Sequence, residues 1–151
     1  MKKLIKSNAA FLALLVMLLV SAVPAKAQNC SSAVDKLCGV FNKMAQDVNS
    51  VQTMEAFENL DFDKTINASG IENLPDACLA YRLTTIDKDK INKAFDNFYN
   101  AVVNKTYSLT GGAVSKSDLS NMMKPMRDTF RNEVRKSTTL GQLGQNMSNA
   151  F

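Results

Sequence analysis

The side chains with the most distinctive chemistry lie in the last third of the chain. Lys124, Arg127, Arg131 and Arg135 recur at three- and four-residue steps. On an α-helix, at 100° per residue, they fall within an arc of about 80°. A cationic helix face of this kind suits an anionic membrane or envelope surface, or an acidic patch on another protein. The plainer alternative is a solvated face whose charges pair within the chain, the usual fate of charge runs. Nucleic acid is not expected as a partner, because no aromatic residues are interleaved with the stripe to stack bases.

Three methionines share this stretch. Thioethers are soft ligands that favour Cu(I), and Met122 and Met126 are spaced to face one ion, with Met123 beside them. All three also fall on the apolar face of the same helix, where methionine is a common core filler. The core reading is preferred, so no metal and no cofactor is expected.

Cys30, Cys38 and Cys78 allow one disulfide with one sulfur left over. If the region is helical, Cys30 and Cys38 lie about 12 Å apart along the axis, beyond disulfide reach. Cys78 is therefore the shared partner. A Cys38–Cys78 bridge would close a loop of roughly 40 residues and add about 3–4 kcal/mol. The remaining cysteine could link two chains.

Catalytic constellations are scarce. The chain has no histidine, which excludes Ser-His-Asp and Cys-His machinery and imidazole metal sites. Asp87-Lys88-Asp89 begins like a calcium loop, but Ile91 and Asn92 occupy the positions that need a ligand and a glycine. Glu55 with Glu58, or Asp61 with Asp63, could act as acid and base, yet nothing in their spacing fixes the separation such chemistry needs. No enzyme activity and no catalytic residue is expected.

The elements that must position these residues read as helices. Val34, Leu37, Cys38, Phe41, Met44, Ala45 and Val48 form one apolar stripe, with Ser32 as a cap and Asn49-Ser50 as an end. Thr53 caps a short piece carrying Met54, Phe57 and Leu60. Asp61 to Asn73 reads as a loop rich in turn formers. Pro75 suits the first turn of a helix with Ala77, Cys78 and Tyr81. Asp87 opens the clearest helix, with Ile91, Ala94, Phe95, Phe98, Tyr99, Val102 and Val103 on one face, fading near Tyr107 before Gly111-Gly112. Ser117 can cap the next, which carries Leu119, Phe130 and Val134 besides the methionines. Pro125 should kink that helix or start a separate one. Thr139 begins a last helix with Leu140, Leu143, Met147 and Phe151. The expected fold is all-α: a small single-domain helical bundle of four to six helices over residues 28–151, with one disulfide.

Residues 1–27 read differently. Lys2, Lys3 and Lys6 precede an apolar run from Ala9 to Ala22, followed by Ala25-Lys26-Ala27. This is the layout of a secretory signal peptide of bacterial type, cleaved after Ala27, and it predicts a periplasmic or secreted protein. The net charge of +4 comes from 18 basic and 14 acidic residues, and the four lysines of this segment account for all of it. The rest is formally neutral but polarised. Residues 28–104 carry 7 basic and 11 acidic side chains, and residues 105–151 carry 7 and 3. Two such halves complement each other within one chain or between two.

Together these features predict an exported small helical binding protein. It would act by contact with another protein or with a second copy of itself as a homo-oligomer. Attachment to an anionic envelope surface through the basic face of the 117–136 helix is the alternative. A Cu(I) site or an enzyme stands behind both.

Overall fold

Ala33, Val34, Leu37, Val40, Phe41, Met44 and Val48 are buried along one face of a 20-residue helix, α1 (Ser31–Ser50). The computed structural model describes residues 30–150, so residues 1–29, which include the expected signal peptide, and Phe151 lie outside the described residues. The N-cap of α1 is Cys30, not Ser32, and the Cys30 side chain makes no capping hydrogen bond. A disulfide from Cys30 to Cys78 holds this end instead. Thr53 accepts a hydrogen bond from the Ala56 amide and starts α2 (Met54–Glu58).

The stretch from Asp61 to Asn73 is not a loop. It forms α3 (Phe62–Ser69) and a 3-10 turn over Ile71–Asn73. Its apparent turn formers are the caps: the Asp61 carboxylate accepts from the Lys64 amide, and Gly70, at φ 65°, ends the helix in the left-handed conformation. Ile66, fully buried, anchors it. Pro75 then precedes α4 (Asp76–Leu79), which presents Cys78.

The longest helix, α5 (Thr85–Leu109), opens two residues before Asp87. The Thr84 hydroxyl accepts from the Asp87 amide while the Asp87 carboxylate accepts from the Thr84 amide, a reciprocal capping box. Gly111 and Gly112, both at positive φ, turn the chain after it. The next helix, α6 (Lys116–Lys136), is capped by Ser115 rather than Ser117. It continues through Pro125 instead of restarting there. Pro125 and Asn121 are both exposed, so water can serve the carbonyl that the missing N–H leaves open. Thr139 caps α7 (Leu140–Ala150) by accepting from the Gln142 amide at 3.1 Å.

The fold is a small all-α bundle with one disulfide. The described residues hold seven α-helices, one above the expected range because α3 exists. α1 packs on α5, α6 covers another side of α5, and α7 follows α6. The first three meet at an aromatic cluster. Phe95 and Phe130 stack with ring centroids 3.8 Å apart, and Phe41 sits edge-on to both. A short bridge ties the segment before α5 to the segment before α7: the Leu83 amide donates to Thr138 O and the Leu140 amide to Tyr81 O, each at 3.0 Å. Among the described residues no helix is long and apolar enough to cross a membrane.

Candidate functional site

Leu119, Phe130 and Val134 bury the apolar face of α6 and so lay the basic stripe along its edge, next to α5. The spacing places the four cations along one side of the helix, and α5 meets the middle two of them. Arg127 Nε lies 3.1 Å from Asp96 Oδ1, and an Arg131 guanidinium nitrogen bonds Asp96 Oδ2. The Arg127 guanidinium also stands 5.2 Å from the ring centroid of Tyr99, one turn along α5. The Tyr99 hydroxyl in turn donates to Ser120 O at 2.7 Å. Lys124 is paired with Asp128, and its hydrogen bond holds the Asp128 carboxyl below the usual carboxylate range. Three of the four cations are therefore matched within the chain. Arg135 differs: among the described residues its guanidinium bonds only the neutral Asn132 Oδ1, at 2.8 Å. Arg131, Asn132, Arg135 and Asp128 line a shallow depression of ≈ 300 Å³.

The methionines divide. Met123 and Met126 pack partly buried against the core, but Met122 is 45% exposed and does not share the buried face expected of it. Among the described residues no three or more Cys, Asp or Glu side chains converge on a metal-binding point.

The cysteines pair as Cys30–Cys78, with Cα atoms 5.1 Å apart: Cys78 is the shared partner, and it takes Cys30 rather than Cys38. Cys30 sits at the very start of α1, where α4 can reach it. Cys38 is two turns further along, against the core, and remains a thiol. Burial, with Asp35 adding to it, pushes that thiol up to about 11.

Two polar features escape a sequence reading. Asp87 is buried, and its carboxylate takes three hydrogen bonds: from the Thr84 amide at 2.9 Å, the Thr84 hydroxyl at 2.7 Å and the Tyr81 hydroxyl at 3.2 Å. The T-x-x-D spacing was a usable sign of the cap, but not of the tyrosine. The second feature is an open groove of ≈ 660 Å³ between α1 and α3, edged by Lys36, Lys43 and Lys64. It is hidden in the sequence because its second wall reads as loop. Glu55, Glu58, Asp61 and Asp63 are all exposed, and Asp61 serves as a cap. No protein family, curated protein or solved structure matches this chain.

Proposed function

We propose that this chain is an exported, non-catalytic binding protein that contacts another protein through the C-terminal half of α6. Arg135 carries the reading. It is an exposed arginine in the last turn of a long helix, its side chain hydrogen-bonded among the described residues only to a neutral amide, beside a depression shared with Arg131. A carboxylate arriving there would gain a charge-assisted, bidentate contact without displacing an existing ion pair.

Magnitudes favour a protein over an anionic envelope surface. Polybasic attachment to lipid gains about 1 kcal/mol per cation near the surface, so it needs several uncommitted cations. Here Arg127 and Arg131 face Asp96, Lys124 faces Asp128 and Lys136 faces Glu133. One well-placed arginine suffices as an anchor at a protein interface. The net acidic first half of the chain makes a second copy an eligible partner.

Export is supported by the basic, apolar and A-x-A succession in residues 1–27 and by the Cys30–Cys78 bridge, which suits an oxidising compartment such as the periplasm or the exterior. The absence of catalysis is supported by the lack of histidine. It is also supported by the two carboxyls that shift, Asp87 and Asp128, which both move downward, opposite to what a general acid at neutral pH requires.

The test is a pull-down from envelope extract with the mature, oxidised chain, run beside Arg135→Glu. The expected result is a discrete protein held by the wild type, released by salt and lost from the variant. Recovery of no partner, or equal retention by both baits, overturns the proposal. Binding of both equally to anionic vesicles would also count against it.

A further inference from the structure

Gly39 lies inside α1, where glycine is the least favoured residue after proline. Neither backbone nor packing explains it. Its φ is not positive, and a Cβ built on it would meet nothing within 4 Å. What the missing side chain does is leave bare helix backbone at the lining of the groove between α1 and α3. Close approach of a ligand to the main chain is a recognised use of glycine.

Lys36, one turn before Gly39, supplies a second and independent observation. It edges the same groove and makes no ion pair among the described residues, whereas Lys43 is held by Asp47 and Lys64 by Asp61. Its ammonium stands beside the end of α3, 3.8 Å from where a Cβ of Gly70 would lie. Gly39, Val40 and Ala68 give the groove a small-residue, apolar lining. A volume of ≈ 660 Å³ falls within the range of small-molecule sites.

We propose that this groove binds a monoanionic amphiphile, a long-chain carboxylate, with its alkyl chain over Gly39, Val40 and Ala68 and its head at Lys36. An acidic peptide fits less well. Asp47 and Asp61 lie along the same groove and would repel a run of carboxylates, while a single head can avoid them. The site is separate from Arg135 and does not depend on the protein contact made there.

Dodecanoate, titrated into the mature oxidised chain by calorimetry, tests the proposal. Saturable binding of one molecule per chain is expected. Gly39→Leu, which fills the groove with a good helix former, should weaken it at least tenfold, and Lys36→Met at least fivefold, with neither variant melting below the wild type. Arg135→Glu should bind like the wild type. No saturable binding to the wild type overturns the proposal. So does equal affinity in both groove variants, equal affinity for dodecanol, or tighter binding of a short oligoglutamate. Should Gly39→Leu lose its fold, Lys36→Met, altered at an exposed side chain, decides alone.

Discussion

Arg127 Nε lies 3.1 Å from Asp96 Oδ1 and joins α6 to α5. Arg131 takes the other carboxylate oxygen, so one acid from the net acidic half of the chain holds two cations of the basic half. All three side chains are only partly exposed, which lifts the interaction above an ordinary surface pair. Asp96→Asn leaves two neighbouring guanidinium groups facing a neutral amide. It should lower stability by about 1–2 kcal/mol, more at low salt than at high, as screening predicts. Lys124→Ala, which removes only an exposed i,i+4 pair, should cost below about 0.5 kcal/mol. Asp96→Asn also releases Arg127 and Arg131, so it should bind anionic vesicles more strongly than the wild type. Melting curves and vesicle flotation at two salt concentrations check both parts; coincident behaviour of variant and wild type would sink the account.

That relationship marks the boundary of what the sequence made legible. Stripes longer than two turns, such as Ile91 to Val103 or Leu119 to Val134, predict their helices because 3.6-residue periodicity is a local property. The basic stripe is visible for the same reason. That its inner edge meets Asp96 is not, because any of the eleven acids of the first half could have been the partner and only packing selects one. α3 is hidden because it is short, offers essentially one buried side chain, Ile66, and is bounded by residues equally at home in turns. The disulfide was narrowed to Cys78 by helix geometry. Choosing Cys30 over Cys38 needed the position of α4, a long-range fact. The α1–α3 groove follows from α3 and was out of reach with it.

Asp87 should give the protein an acid limb. Burial works against its charged form, but the Thr84 amide and hydroxyl and the Tyr81 hydroxyl outweigh it and hold the carboxyl below its usual range. A folded pKa below the unfolded one contributes stability that is present above the unfolded value, about 3.9, and is lost as pH falls through the folded value. Asp87→Asn should therefore flatten the acid limb and, through the lost cap, cost about 1 kcal/mol at neutral pH. Tyr81 is shifted the other way, raised by burial and by Asp87. Its contribution is present below its unfolded pKa and fades as pH rises through the folded one. Melting temperature against pH for wild type, Asp87→Asn and Tyr81→Phe reads both limbs; unchanged acid sensitivity in Asp87→Asn would remove this carboxylate from the account.

The two kinds of cysteine should separate cleanly in the test tube. Reducing Cys30–Cys78, 48 residues apart in sequence, should lower stability by about 4 kcal/mol in the chain-entropy view. Cys38, with its thiol raised to about 11, carries little thiolate near neutral pH. It should alkylate roughly a hundredfold more slowly in the folded chain than after denaturation. Burial of this kind also argues against Cys38 as a link between chains. Timed iodoacetamide labelling read by mass, with a non-reducing gel alongside, measures these effects. Rapid labelling of the folded chain, or a dimer abolished by Cys38→Ser, would contradict them.

Two glycines should respond to alanine with opposite signs. At Gly39 a methyl group enters open space on an exposed stretch of α1, so Gly39→Ala should raise stability by about 0.5–1 kcal/mol through helix propensity. At Gly141, in the first turn of α7, the same methyl would stand 3.0 Å from Leu79 O and 3.1 Å from Leu79 Cβ. A backbone carbonyl and a Cβ cannot swing aside as the end of a long side chain can, so α7 must move off α4. Gly141→Ala should therefore cost about 1–3 kcal/mol, the usual range for overpacking. Since α4 also carries Cys78, that displacement is resisted by the disulfide, and the penalty should shrink once Cys30–Cys78 is reduced. Urea midpoints of both variants, oxidised and reduced, resolve the signs. A neutral Gly141→Ala in the oxidised protein would mean that α4 and α7 are not in the close contact that places Cys78 opposite Cys30.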